Sequence, residues 1–288
     1  MSTPAPRPPH DAPPVRLGAV SYLNTLPLTE GLDACAGFDL TLAAPSHLAD
    51  MLARGDVDLA IVPVIDALRH PGFELVPAGA IGCTGATLSV RLYSTEPFDR
   101  VSTVHADVDS HTSVALATWI LRQRFGTAPE FVPFDARERV ETTGKGVEWP
   151  PAMLMIGDKV VTDSPPAVRY PHQLDLGQAW HELTGLPFVY AVWMRRADSE
   201  RTEATDAAVA LLDRQRRLNA TRLDWIASAR APERRWPADL AREYLGERLC
   251  FCIGAEQREA IERFFRAAAE VGAAEFAPPR WSDEPCPA

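Results

Sequence analysis

Between Val15 and Pro63, three short apolar runs (VRLGAV, FDLTLA and DLAIVP) are separated by segments that punctuate like helices. This strand, helix, strand, helix, strand order is the signature of a mainly parallel sheet with crossover helices, and it rules out bundles and sandwiches. The first run, Val15 to Val20, ends in a polar turn, Ser21 to Pro27, and a helix begins at Leu28. Phe38 to Ala43 alternates as a second strand. Pro45-Ser46 opens a helix with Ser46 as the expected N-cap and Gly55 as its C-cap. Asp58 to Pro63 reads as a buried strand.

After Val76 comes the Gly-rich stretch GAIGCTGA, followed by an alternating strand, Thr87 to Tyr93. A second α/β set follows: strand Ser102 to Ala106, helix Thr112 to Phe125, strand Glu130 to Phe134. Met153 to Ile156 is a buried strand ended by Gly157-Asp158, Ala179 to Leu183 is a short helix, and Phe188 to Met194 is again a strand. Beyond Thr205 the pattern is helical, with stripes such as Leu211, Leu212, Leu218 and Ile261, Phe264, Phe265. Two α/β units with a helical finish imply two lobes, the second inserted in the first. The expected division is a Pro-rich tail over 1–14, lobe I from 15–94 and 188–278, lobe II from 95–187, and a tail over 279–288. Ligands of open α/β sheets sit beyond the carboxyl ends of strands. Ser21 to Pro27, Ser89 to Ser94, Asp107 to Ser113 and Gly157-Asp158 therefore surround one cleft.

The formal net charge of −10 and pI of about 5.2 exclude the basic surface that general nucleic-acid or anionic-membrane binding needs. A small anionic ligand stays compatible, because helix N-termini bind anions inside acidic proteins. The first fourteen residues lack the apolar core of a signal peptide, and no run suits a membrane span, so a cytoplasmic location is expected. Five cysteines, Cys35, Cys83, Cys250, Cys252 and Cys286, include no Cys-x-x-Cys pair and read as free thiols. The histidines are scattered. His181-Glu182 lacks the second zincin histidine, since Gly185 stands four residues on. Nucleotide and P-loop fingerprints are absent. No metal or cofactor is expected.

Two segments carry candidate chemistry. Ser21-Tyr22-Leu23-Asn24-Thr25-Leu26-Pro27 follows a strand, so its polar groups either face the cleft or close a turn on their own backbone. Asp109-Ser110-His111-Thr112-Ser113 precedes an apolar helix. There Ser110 or Thr112 can cap, and Thr112 and Ser113 can add hydroxyl donors to an anion held by free N–H groups. Asp158 can take a proton, hold a hydroxyl or cap the next turn. Arg91 and Lys159 are the cations nearest these segments, and either can instead sit in a solvated pair.

The strings VRLGAVSYLNTLPL, PSHLADMLARGDVDLAIVPV, GATLSVRLYS, DSHTSVAL, MLMIGDKVV and DLGQAWHELTGLPFVYAVW together resemble the chorismate dehydratases of the futalosine route to menaquinone. The resemblance runs from about Val15 to Trp193. It implies a two-lobed, type II periplasmic-binding-protein-like α/β fold. It also implies a cytoplasmic hydro-lyase that converts chorismate to 3-[(1-carboxyvinyl)oxy]benzoate and water. Asn24 falls on a substrate-contacting, catalytically important position, and Ser89, Thr112 and Ser113 are carried over as substrate contacts. Tyr22, Arg91 and Gly157 complete the expected binding set, with Asp158 beside Asn24 as a catalytic candidate. His111 departs from the pattern, in which arginine is expected. A non-catalytic binding protein of this fold and the sister enzyme acting on cyclic dehypoxanthine futalosine are the alternatives. Nothing in the sequence specifies an oligomeric state.

Overall fold

The computed structural model describes residues 14–134 and 149–283. The expected N-terminal tail up to residue 13, and Cys286, lie outside them. Two sheets organise the chain. The first has six strands in the order β11-β4-β10-β3-β1-β2: β1 (Val15–Ala19), β2 (Phe38–Leu42), β3 (Leu59–Pro63), β4 (Phe73–Cys83), β10 (Phe188–Arg196) and β11 (Leu249–Cys250). The second has five in the order β7-β6-β8-β5-β9: β5 (Val90–Ser94), β6 (Thr103–Asp107), β7 (Glu130–Phe134), β8 (Ala152–Ile156) and β9 (His172–Asp175).

The parallel pairs β1/β2, β1/β3, β6/β7 and β6/β8 are those the strand–helix alternation implies. Each sheet is mixed, because β10 runs antiparallel to both β3 and β4, and β5 runs antiparallel to β8 and β9. All five residues of β3 are buried, as expected of a strand covered on both faces. Helix α2 (Pro45–Arg54) starts with Pro45 in its first turn and Ala44 as N-cap, two positions earlier than the Ser46 cap expected. It ends on Gly55 at φ +78°.

Three expectations need correction, set against a β4 that runs through Gly79 and Gly82 as one strand. A side chain at Gly82 would put its Cβ 2.7 Å from the Phe188 carbonyl oxygen, so the glycine lets β10 lie close. The first crossing between sheets falls between Cys83 and Val90 rather than after residue 94, because β5 pairs within the second sheet. The region beyond Thr205 contains a short strand, β11, besides its helices. Lastly, the terminal residues are partly core. Trp281 is 6% exposed, Leu75 N–H donates to Arg280 O at 2.8 Å, and Ser282 N–H donates to Leu75 O at 2.9 Å. Arg258 lies over the Trp281 ring at 4.1 Å.

One core cluster includes Leu48 and Leu52 from α2, Leu92 and Trp180 from the second lobe, and Phe264 from α10 (Ala255–Glu270). Another packs Leu17, Ile61 and Trp193 against Leu28, Leu212, Ile226 and Tyr244. These come from α1 (Leu26–Thr29), α7 (Glu203–Ala220), α8 (Leu223–Arg230) and the π-helical turn Tyr244–Arg248. Among the described residues, no helix is long and apolar enough to cross a membrane.

Candidate functional site

A cavity of about 80 Å³, partly open to solvent, lies between the sheets. Apolar walls come from both lobes, including Val20, Ile61, Ile81, Val90 and Ile156. Polar groups enter from four loops.

The first loop follows β1. Leu23–Thr25 forms a single 3-10 turn. Leu23 N–H donates to both carboxylate oxygens of Asp158 at 3.2 Å, and Tyr22 Oη donates to Asp109 Oδ2 at 3.2 Å. Each bond joins this first-lobe loop to the second lobe, and Asn24 is thereby set in the cavity wall. The Asn24 Oδ1 accepts from Thr25 Oγ1 at 3.3 Å.

The second and third loops flank β5 and β8. Gly157 lines the cavity at φ +67°. A Cβ there would stand 2.9 Å from Tyr22 Cε2, so a glycine is needed for the tyrosine ring to pack. Gly157 N–H donates to Ser89 O at 2.8 Å. The Ser89 hydroxyl, also in the wall, accepts from Tyr244 Oη at 2.6 Å. Burial pushes the Tyr244 phenol well up, with the neighbouring Ser89 and Asn24 side chains working against that shift. Tyr244 therefore stays protonated and ties Ser89 to Asn24.

The fourth is the N-terminus of α4 (His111–Phe125). Ser110, His111, Thr112 and Ser113 all line the cavity. Ser110 occupies the N-cap position but makes no capping bond, and its buried hydroxyl has no partner. Thr112 does not offer its hydroxyl proton to the cavity. It donates to Tyr190 O at 3.3 Å and accepts from Ile65 N–H at 3.4 Å. Ser113 is 4% exposed and faces the cavity. His111 Nδ1 lies 3.2 Å from the buried carboxylate of Asp66, which also meets Arg69 at 3.7 Å.

Beneath the cavity one buried cation is shared by two carboxylates. Lys159, 4% exposed, ion-pairs with Asp107 and, at 3.4 Å, with Asp109. Burial raises the Asp107 carboxyl above its usual range, with the Lys159 charge working against that shift.

Of the residues singled out from sequence, Tyr22, Asn24, Ser89, Thr112, Ser113 and Gly157 come together around this cavity. Two lie outside its wall. Arg91 pairs across the strands with Gln173 at 3.1 Å and Asp175 at 3.8 Å, and Asp158 is directed at the Leu23 amide. Thr87 and Tyr190 also line the cavity. They were not anticipated: Thr87 lies in a glycine-punctuated run, and Tyr190 sits in a strand that reads as pure core. Cys250 and Cys252 bring their sulfurs to 3.3 Å, and among the described residues no group of three or more potential metal ligands forms.

A family model described as menaquinone biosynthesis matches residues 15–270. The chorismate dehydratase of Thermus thermophilus is 30% identical over 233 residues, covering 76% of this chain and 82% of that protein. Among solved structures, protein AF1704 of Archaeoglobus fulgidus superposes with a TM-score of 0.71 at 13% identity, over 91% of this chain and 99% of its own. The Candida albicans CA3427 gene product, described as having the generic periplasmic binding protein fold, gives 0.59 at 10% identity, covering 95% and 99%. The periplasmic aliphatic sulphonate binding protein SsuA of Escherichia coli gives 0.56 at 14% identity, covering 96% of each chain. At such identities these structures establish the fold alone: two lobes of the periplasmic-binding-protein type. With the family match spanning both lobes and the cavity between them, the chain belongs to the menaquinone biosynthesis family.

Proposed function

We propose that this chain is a cytoplasmic chorismate dehydratase, a hydro-lyase that removes water from chorismate to give 3-[(1-carboxyvinyl)oxy]benzoate without a metal or organic cofactor. The observation that carries the reading is a cavity between the lobes with a helix N-terminus, carrying an unpartnered Ser110 hydroxyl, opening into it, in a chain 30% identical to a chorismate dehydratase.

Chorismate has two carboxylates, a ring hydroxyl and an adjacent ring C–H. Removing that proton gives a dienolate delocalised into the ring carboxylate, and loss of the hydroxyl then makes the ring aromatic. The site must hold the reactive conformer, stabilise the dienolate and assist the departing hydroxyl. The free N–H groups of the first turn of α4, with the Ser110 and Ser113 hydroxyls, receive one carboxylate. Thr112 contributes its backbone N–H, its hydroxyl being engaged with Tyr190. Asn24, tied through Tyr244 to Ser89, orients the ring and its hydroxyl by hydrogen bonds, since an amide is no base. Asp158 holds the Leu23 amide and stands outside the wall, which favours the substrate's own side-chain carboxylate as the proton acceptor.

Purified protein mixed with chorismate, followed by ultraviolet absorbance and product identification, tests this. Conversion to the enolpyruvyl benzoate with no added cofactor is expected. Chorismate bound but unchanged would overturn the enzyme reading in favour of a binding protein, as the sulphonate-binding structural neighbour would suggest. Loss of activity on chelation, restored by a divalent ion, would overturn the cofactor-free mechanism.

A further inference from the structure

Two hydroxyls in the cavity wall have no hydrogen-bond partner. Thr87 is 1% and Tyr190 9% exposed, both line the cavity, and neither side-chain oxygen is bonded. Buried polar atoms are almost always paired, so two orphans on one wall need an explanation.

Their surroundings say what could pair with them. Burial first, and then the neighbouring Cys83 and Asp175, push the Tyr190 phenol well above its ordinary range. Burial likewise pushes the Cys83 thiol up to about 12. Thr87, Tyr190 and Cys83 thus stand close enough to act on one another as hydrogen-bonding groups, yet the two hydroxyl oxygens reach no partner at full hydrogen-bond geometry. The nearby Asp175 carboxylate is fully committed. It accepts from Thr87 N–H at 3.0 Å, Leu88 N–H at 2.7 Å and Gln178 N–H at 3.1 Å. It is also paired with Arg91 at 3.8 Å, so it offers this end of the cavity no unpaired charge, whereas the α4 end attracts an anion. What fits here is an uncharged oxygen that can accept from one hydroxyl and donate to the other.

The backbone supports the same reading. Leu88, directly after Thr87, has φ +67°. A left-handed conformation is unfavourable for a branched side chain, and such residues cluster at functional sites. The Asp175 carboxylate clamps both amides around this strained residue and so fixes Thr87 in the cavity wall, at the point where the chain passes from the first sheet to the second.

We propose that Thr87 and Tyr190 form a receptor for a neutral hydroxyl of the ligand and so distinguish a hydroxylated substrate from its dehydrated product. This rests on the dehydratase reading, in which the substrate carries a ring hydroxyl and the product does not.

The test uses Tyr190→Phe, Thr87→Val and the double variant, which remove oxygens while keeping shape, with Thr87→Ser as the control that keeps a hydroxyl. kcat/KM for chorismate should fall roughly ten- to a hundredfold in the double variant. Binding of the product benzoate, measured by calorimetry, should change by less than about threefold. The unliganded variants should melt at or above the wild-type temperature, because unpaired polar atoms have been removed, and Thr87→Ser should behave as wild type. Unchanged kcat/KM, equal loss of substrate and product affinity, or a clearly lowered melting temperature would each overturn the receptor. If the wild type fails to turn over chorismate, the dehydratase reading falls instead. The receptor is then judged from chorismate binding: the double variant must bind chorismate more weakly while still binding the benzoate, and equal effects would overturn it.

Discussion

Lys159 is held between Asp107 and Asp109 with almost no exposed surface. Its charge keeps the floor of the cavity from carrying two uncompensated carboxylates. Lys159→Met should therefore destabilise the protein by about 3–5 kcal/mol, the cost of breaking a buried pair. The pH dependence has a definite sign. The Asp107 carboxyl in the folded protein already lies above its ordinary value of 3.8, raised by burial. Between the unfolded and folded values the native state holds the extra proton, so stability falls as pH rises through that window. Removing Lys159 widens the window upward. The melting-temperature gap between Lys159→Met and wild type should shrink as the pH is lowered, and a pH-independent gap would show that lost packing, not charge, sets the cost. At Asn24 the expected defect is in rate. Asn24→Asp removes the amide donor and puts a negative charge beside a dianion, so kcat should fall about a hundredfold or more. Asn24→Ala should also lower kcat, while product affinity measured by calorimetry shifts by less than about tenfold. Normal turnover at saturation with much weaker binding would reduce Asn24 to a binding residue.

Elements with strong periodicity were readable from the chain. β1, β3, β6 and β10 occupy nearly the positions their apolar patterns indicate, because central strands leave long apolar runs, and the edge strands β2 and β7 were found from their alternation. The failures have physical causes. Gly79 and Gly82 look like turn residues, but both lie inside β4, where Gly82 lets β10 approach closely and Gly79 makes room for Leu28 and Arg216, which a single chain pattern does not report. β9 is four residues long and only partly buried, and β11 has two residues, too short for any alternation. For the site, residues just beyond strand ends were legible because loop geometry puts them over the cleft. Arg91 shares sequence parity with Ser89, yet Ser89 lies before the start of β5 at Val90, outside the strand's alternation. Parity therefore does not carry from one residue to the other. Trp281 was read as tail because proline and charge surround it. Its burial against β4 predicts that Trp281→Ala costs about 3–5 kcal/mol in chemical denaturation, whereas a true tail residue would cost almost nothing.

At the scale of the whole molecule, the cavity wall draws on both sheets, and Tyr22–Asp109 and Leu23–Asp158 already join the lobes. A ligand held there stabilises both lobes at once. The product benzoate at a hundred times its Kd should add roughly 2.7 kcal/mol and shift a single calorimetric transition upward. Two transitions of which only one moves would mean that the lobes do not share the ligand. The topology also has a consequence in time. β10 lies between β3 and β4 and hydrogen-bonds to both, but it begins at Phe188, whereas β4 ends at Cys83. During synthesis at about 5–20 residues per second, the segment between them takes on the order of 5–20 seconds to emerge. Throughout that interval the wholly apolar β3 and its neighbour β4 have an open edge toward the missing strand, a template for pairing with other chains. The length of the inserted lobe thus sets how long a nascent chain depends on chaperones, and slower expression at low temperature, with chaperones in excess, is the condition under which this protein should be recovered folded.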